Sequence, residues 1–145
     1  MHTTKAIDIL IVEDNPGDAR LIQEVLNDSK ISNNIHLVRD GVETMDFLQK
    51  KGIYLNAQTP DLIILDLNLP KMDGREVLAK IKNDELLKRI PVVIMTISQA
   101  EEDILKSYNL HANCFITKPI DLDQFIKVIK SIEEFWFSIV KLPPK

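Results

Sequence analysis

Five short apolar segments alternate with segments of helical spacing along this chain of 145 residues. The apolar segments are Ile7–Val12, Ile35–Val38, Leu62–Leu65, Pro91–Thr96 and Cys114–Thr117. After each of them, apolar side chains recur every three or four positions, which is the period of a helix. Strands that alternate with helices are typical of a parallel sheet covered by helices on both faces. We therefore expect a doubly wound α/β fold with five parallel strands in the order 2-1-3-4-5.

The length suits one domain with a buried core, so we expect residues 1–145 to form a single domain and residues 133–145 to extend its last helix. A net charge of -4 without a basic patch argues against nucleic-acid binding. The single cysteine, Cys114, excludes a disulfide framework. Ile7–Val12 is too short to span a membrane and has the wrong flanks for a signal peptide. We expect a cytoplasmic protein.

The third apolar segment, Leu62–Leu65, ends at a polar residue that stands out. Its aliphatic side chains, which follow Pro60, indicate a strand buried on both faces, and Asp66 comes directly after it. In parallel sheets, ligands bind at the carboxyl ends of the strands. Asp66 could equally cap the following turn or helix, so its position alone leaves a structural and a functional role open.

Several polar residues follow the other predicted strands and should meet Asp66 at the same edge: Glu13, Asp14, Thr96 and Lys118. Three crowded carboxylates repel one another and raise their own pKa values unless a cation joins them. A hard divalent ion such as Mg²⁺, or Mn²⁺, prefers such oxygen ligands. The acidic loop after the first strand would repel the phosphates of a nucleotide. The pattern therefore predicts a metal site and not a dinucleotide site.

Lys118 and Thr96 add the groups that phosphoryl transfer to Asp66 requires. The Lys118 ammonium could pair with Asp66 or with negative charge on a group attached to it, and the Thr96 hydroxyl could donate to an incoming oxygen. Each also has an ordinary explanation, since lysine often precedes a turn proline and threonine is common in strands. Together with a metal, these groups are sufficient for phosphoryl transfer.

This set of residues resembles the receiver domain of two-component response regulators, and the resemblance covers essentially the whole chain. Glu13-Asp14 resembles the acidic pair of that family, Asp66 its phosphate-accepting aspartate and Thr96 its switch hydroxyl. Lys118-Pro119 resembles the family's lysine and the proline after it. The resemblance implies a signalling domain that catalyses only its own phosphorylation and dephosphorylation.

The resemblance also implies roles for single groups. Asp14 and Asp66 are expected to bind the metal directly, together with the backbone carbonyl of Asn68, while Glu13 acts mostly through water. The peptide bond between Lys118 and Pro119 is expected to be cis. In the family an aromatic side chain on the fifth strand turns inward when the threonine moves, and Phe115 has that place here. An ordinary core position is the alternative for Phe115.

Several segments are similar, more narrowly, to the single-domain regulators that partner phytochrome-type histidine kinases in cyanobacteria. They are Asp14–Asp18, Arg39–Glu43, Ser98–Asp103, Leu110–Cys114 and Phe135–Pro144. This similarity implies a sensor histidine kinase, of the phytochrome type, whose phosphohistidine supplies the phosphoryl group. Signalling would then proceed through contacts with other proteins.

The last helix has more apolar residues than one buried face requires. Those that suffice to face the sheet are Leu122, Phe125, Ile126, Ile129, Ile132 and Trp136. A second apolar stripe consists of Val128, Phe135, Ile139 and Leu142. Because monomers rarely expose such a patch, we expect this stripe to form a symmetric dimer interface. The alternative is that residues 135–144 fold back on their own domain.

Three other functions compete with a phosphorylated regulator. A phosphatase of the haloacid-dehalogenase type would need a second acid two residues after Asp66, where this chain has Asn68. A binding module that keeps the fold without accepting phosphate is disfavoured by the complete set of site residues. A phosphorelay intermediate, which passes phosphate to a histidine carrier, stays open on sequence alone.

Overall fold

The computed structural model describes residues 6–29, 32–97, 100, 103 and 114–140. The strands are β1 Ile7–Val12, β2 Asn33–Val38, β3 Leu62–Asp66, β4 Val92–Thr96 and β5 Cys114–Thr117. The described helices are α1 Pro16–Asn27, α2 Gly41–Leu48, α3 Gly74–Lys82 and α4 Leu122–Val140. The helix predicted between the fourth and fifth strands lies largely outside the described residues. Two short 3₁₀ turns, Gly52–Tyr54 and Leu87–Arg89, were not predicted.

All five strands form one parallel sheet in the order β2-β1-β3-β4-β5, which confirms the predicted fold and strand order. β3 lies in the middle, and all of its residues are buried, as its run of aliphatic side chains predicts. The register pairs Asp66 with Met95 of β4. Asp66 is therefore the last residue of the central strand, at the carboxyl edge of the sheet.

Helices cover both faces of the sheet because successive strand side chains point to opposite sides. One face is packed by α2 and α3, and its buried residues include Leu10, Val12, Ile63, Leu65, Val77, Leu78 and Ile81. The other face is packed by α1 and α4, and its buried residues include Ile9, Ile11, Ile22, Leu26, Leu62, Ile64, Phe125 and Ile129. None of the described helices has both the length and the apolar character needed to cross a membrane.

The structure corrects one prediction about α4, which concerns Leu122. Phe125 and Ile129 are buried against the sheet as predicted, but Leu122 is 46% exposed. Leu122 is the first residue of the helix and lines an open groove beside Leu21 of α1, so the apolar face of α4 extends beyond the core that could cover it. Val128, assigned from sequence to the second stripe, is partly buried against its own core, and its place in a dimer interface stays a prediction. The side chains of the other three stripe residues lie outside the described part.

Gly74 permits an unusually close contact between α3 and the segment after β3. A Cβ atom at this position would lie 2.5 Å from the carbonyl oxygen of Asp66 and 2.5 Å from the Cα of Leu67. Both neighbours are backbone atoms, which cannot rotate away as the end of a side chain can. The absence of a side chain at Gly74 therefore determines where the backbone carrying Asp66 lies.

Replacing Gly74 with alanine should lower the free energy of unfolding by about 2 kcal/mol, because overpacking must displace backbone. Chemical denaturation measures this effect. Gly17→Ala is the matched control, since its added Cβ would meet only the end of the Asn15 side chain, at 3.2 Å. The control should change stability by less than about 1 kcal/mol. Equal effects of the two substitutions would contradict the close-contact explanation.

Candidate functional site

The loop after β1 turns sharply into α1 and presents two acids. Asn15 caps the helix, because its side-chain oxygen accepts a hydrogen bond from the backbone N–H of Asp18 at 3.0 Å. The backbone N–H of Asn15 in turn donates to Oε2 of Glu13 at 3.1 Å. These bonds hold Glu13 inward, where it is buried, while Asp14 is exposed at the rim of the sheet.

Asp66 has a buried carboxylate with a defined orientation. Its Oδ1 accepts a hydrogen bond from the backbone N–H of Asn68 at 2.9 Å. Its Oδ2 accepts one from the Lys118 ammonium, also at 2.9 Å. Only 1% of the residue is exposed. Both carboxylate oxygens are therefore held from opposite sides, one by the chain that follows β3 and one by the chain that follows β5.

Lys118 connects the ends of three strands. Its backbone N–H donates to the carbonyl oxygen of Thr96 at 2.7 Å, and its bond to Pro119 is cis, as expected from the resemblance. Its ammonium nitrogen lies 2.6 Å from Oε1 of Glu13 and 2.9 Å from Oδ2 of Asp66. The structure thus brings together Lys118 and two of the three acids predicted to meet it, and the third, Asp14, joins them at the rim.

The site contains a fourth acid that sequence reasoning missed. Oδ2 of Asp18 lies 3.2 Å from the Lys118 ammonium nitrogen. Asp18 is four residues after Asp14, in the first turn of α1. The sequence signal was weak, because an acid in the first turn of a helix is expected simply from the favourable interaction with the helix dipole.

Burial and neighbouring charges raise the pKa values of two groups in the site, Glu13 and Lys118. Burial raises the pKa of Glu13 to about 7, with a further contribution from the Asp66 charge, and the contacts with Lys118 and Asn15 only partly oppose this. Burial disfavours the charged form of Lys118, but its contacts with Glu13 and Asp66 prevail and raise its pKa above the ordinary value. The lysine therefore stays protonated and holds the acids together.

The donor set fits a hard divalent cation. Carboxylate oxygens of Glu13, Asp14 and Asp66 lie within 4.8 Å of one another. Oε1 of Glu13 is buried and, despite its close contact with the Lys118 ammonium, accepts no well-directed hydrogen bond among the described residues. Four carboxylates, counting Asp18, face a single ammonium in the described part of the site. A cation with oxygen preference would offset the excess negative charge.

The two predicted switch residues lie on β4, which is next to the strand of Asp66, and on β5 beyond it. Thr96 is the last residue of β4 and is buried. Phe115 lies on β5, paired with Ile94 of β4, and packs partly buried against the core on the α2 and α3 side. Their places in the sheet match the sequence analysis, while their movement stays a prediction.

A parallel five-stranded sheet with an acid cluster, a lysine and a buried threonine at its carboxyl edge defines a receiver domain of response regulators. The chain belongs to the response regulator receiver domain family, whose sequence pattern matches residues 9–130. This finding confirms the resemblance recognised in the sequence. Receiver domains bind a divalent metal, in agreement with the acid cluster described above.

Particular relatives are similar to the chain over nearly its whole length. Response regulator Rcp1 of Synechocystis sp. is 53% identical over 135 residues, which are 93% of this chain and 92% of that protein. The crystal structure of the phosphorylated cyanobacterial phytochrome response regulator RcpA has a TM-score of 0.80 and 54% identity, covering 97% of this chain and 100% of that one. The Mn²⁺-bound form of Rcp1 has a TM-score of 0.79 and 51% identity, covering 95% and 99%.

The buried Glu13 should make stability depend on pH in the metal-free protein. Its pKa in the folded state, about 7, exceeds the ordinary value of 4.5, so the folded state binds more protons between these values. Stability contributed by this group is therefore lost as the pH rises through that window. Glu13→Gln should reduce the fall in unfolding free energy between pH 5 and pH 7 by about 2 kcal/mol.

Chemical denaturation in a metal chelator at several pH values tests this expectation. Glu76→Gln makes the same chemical change at an exposed position of α3 and should keep the pH dependence of the original protein. A Glu13→Gln variant with an unchanged slope would show that burial does not perturb this carboxyl group.

Proposed function

We propose that Asp66 accepts a phosphoryl group from a phosphohistidine of a sensor histidine kinase of the phytochrome type. The observation that carries this proposal is the fixed, buried carboxylate of Asp66 between the Asn68 N–H and the Lys118 ammonium, beside Glu13 and Asp14. The similarity to RcpA, described as a phosphorylated phytochrome response regulator, supports both the phosphorylation and the class of kinase.

The same residues would hold the metal ion, Mg²⁺ or Mn²⁺. Asp14 and Asp66 would bind it directly with the backbone carbonyl of Asn68, and Glu13 would act mostly through water. The Mn²⁺-bound form of Rcp1 supports this assignment. When bound, the ion neutralises oxygens of the phosphoryl group during transfer.

The chemistry needs few groups of the protein. An oxygen of Asp66 forms a bond to phosphorus while the phosphorus–nitrogen bond of the phosphohistidine breaks, and the imidazole nitrogen leaves with the electron pair. The transition state is loose, so positioning and charge stabilisation contribute most. Lys118 already contacts Asp66 and supplies an ammonium for a phosphoryl oxygen. Asn68 N–H keeps the carboxylate oriented throughout.

Phosphorylation would be communicated through Thr96 and Phe115. The Thr96 hydroxyl would move to the phosphoryl group, and Phe115 would turn inward on β5. The backbone bond from Lys118 to the Thr96 carbonyl supports this coupling, because it ties the lysine at the site to the end of β4. The phosphoryl group shifts an equilibrium between two packings by interacting better with one of them. We propose that this cytoplasmic signalling domain acts through protein contacts and not as an enzyme on other substrates.

Asp66→Asn should abolish phosphorylation, because an amide oxygen is a poor nucleophile and no other described acid is held by both Asn68 and Lys118. The measurement is incorporation of labelled phosphate from acetyl phosphate or from purified phytochrome-type kinases, in the presence of MgCl₂. We expect a loss of at least about 100-fold, the scale for removal of an essential nucleophile.

Asp61→Asn is the control for this experiment, because it makes the same change at the opposite end of β3, where Asp61 bonds the backbone of Asp8. This variant should be labelled like the original protein. Undiminished labelling of Asp66→Asn would refute the assignment. Transfer only from kinases unrelated to phytochromes would refute the proposed partner. The assignment of Asp66 as the phosphate acceptor would then still hold.

We also propose a homodimer formed through the end of α4. The proposal is supported by the second apolar stripe and by the length of α4, which continues to Val140. Because Val128 packs partly against its own core, the proposed interface centres on Phe135, Ile139 and Leu142.

Replacing both Phe135 and Ile139 with serine should convert the dimer to a monomer, because it removes apolar area from the proposed interface. Light scattering gives the mass of the particle. The control is a double serine variant at Ile53 and Leu55, which are 91% and 69% exposed and lie outside α4. The control should remain dimeric. If the Phe135 and Ile139 variant stays dimeric and the Ile53 and Leu55 variant becomes monomeric, the interface lies outside the end of α4.

A further inference from the structure

We propose that Asp18 is a positioning residue that pairs with the Lys118 ammonium in the unphosphorylated protein. This pairing makes the binding of a phosphoryl group at Asp66 less favourable. The inference rests on the proposed phosphorylation of Asp66. Its basis is the contact of 3.2 Å between Oδ2 of Asp18 and the ammonium nitrogen.

The ammonium already has three carboxylates as close neighbours in this arrangement. A lysine ammonium carries three N–H bonds, and Lys118 contacts three carboxylates, those of Glu13, Asp66 and Asp18. A phosphoryl oxygen that approaches this ammonium must therefore compete with these three carboxylates for it.

The three partners differ in what their loss would cost. The side chain of Glu13 is 0% exposed, and its Oε1 has the ammonium as its closest compensating charge, so separation would leave a buried charge uncompensated. Asp66 carries the phosphoryl group itself. The Asp18 side chain is 31% exposed, makes the longest contact of the three and can be hydrated after separation. Asp18 is therefore the partner that gives way.

The direction in which a phosphoryl group can extend leads to the same conclusion. Because Asp66 is buried, a group attached to its carboxylate must extend towards the open rim. The more exposed acids of the site, Asp14 and Asp18, lie on that side. Asp14 belongs to the acid cluster that fits a metal, whereas Asp18 is outside that cluster and adds negative charge near an anionic group. Asp18 thus weakens the binding of anions at Asp66.

Beryllium fluoride is a suitable probe, because BeF₃⁻ binds a carboxylate oxygen and resembles a phosphoryl group without being hydrolysed. With saturating MgCl₂, Asp18→Asn should bind BeF₃⁻ about threefold more tightly than the original protein, as measured by fluorine NMR titration. Asp18→Glu, which retains the charge, should keep the original affinity. Asp28→Asn removes one exposed charge at the other end of α1 and should also keep it.

Two further measurements distinguish this role from two others. Thermal or chemical unfolding tests a structural role, and a Mg²⁺ titration without BeF₃⁻ tests a role as metal ligand. A structural role in α1 would lower the unfolding midpoint without tightening BeF₃⁻ binding, and a role as metal ligand would weaken Mg²⁺ binding tenfold or more. Either result would overturn the proposal, as would equal tightening by Asp28→Asn. If the original protein binds BeF₃⁻ and Asp18→Asn does not bind it more tightly, only the role of Asp18 fails. If the original protein binds no BeF₃⁻, the proposed function fails with it.

Discussion

One ammonium group among several carboxylates is the interaction on which the site depends. Lys118 contacts Glu13 and Asp66, two buried acids that would otherwise face each other without compensation. The cost of burying these charges is high, and the contact with the ammonium lowers that cost for both acids. Their remaining excess of negative charge makes the same place suited to a divalent ion and, through that ion, to a phosphoryl group.

The strand order places this contact beside Thr96, the residue proposed above to respond to phosphorylation. β4 lies between β3 and β5, so the contact between Lys118 and Asp66 passes the end of β4, where Thr96 is located. Lys118 is also bonded through its backbone to the Thr96 carbonyl. A change in charge at Asp66 would therefore act close to the end of β4. The proposed switch needs no long pathway through the core, because Thr96 and Lys118 lie at the same edge of the sheet as Asp66.

The relatives place these features in context. A phosphorylated regulator and a Mn²⁺-bound regulator both share this fold at more than half sequence identity. The acid cluster of this chain suits a cation of the same kind, and a phosphoryl group on Asp66 is the proposal made above. The close approach of Gly74 to the Asp66 carbonyl shows that the backbone, as well as the charged groups, is arranged around this edge.

The sequence alone determined the strands, their parallel order and the meeting of Asp66, Glu13, Asp14, Thr96 and Lys118. These features follow from local periodicity and from the rule that parallel strands share a carboxyl edge, together with a family resemblance that covered the chain. Only the tertiary structure decided the exposure of Leu122, the partial burial of Val128 and the pairing of Asp18 with Lys118. Periodicity shows which face of a helix is apolar, but burial and charge pairing depend on how far the neighbouring elements extend in space, which no local pattern contains.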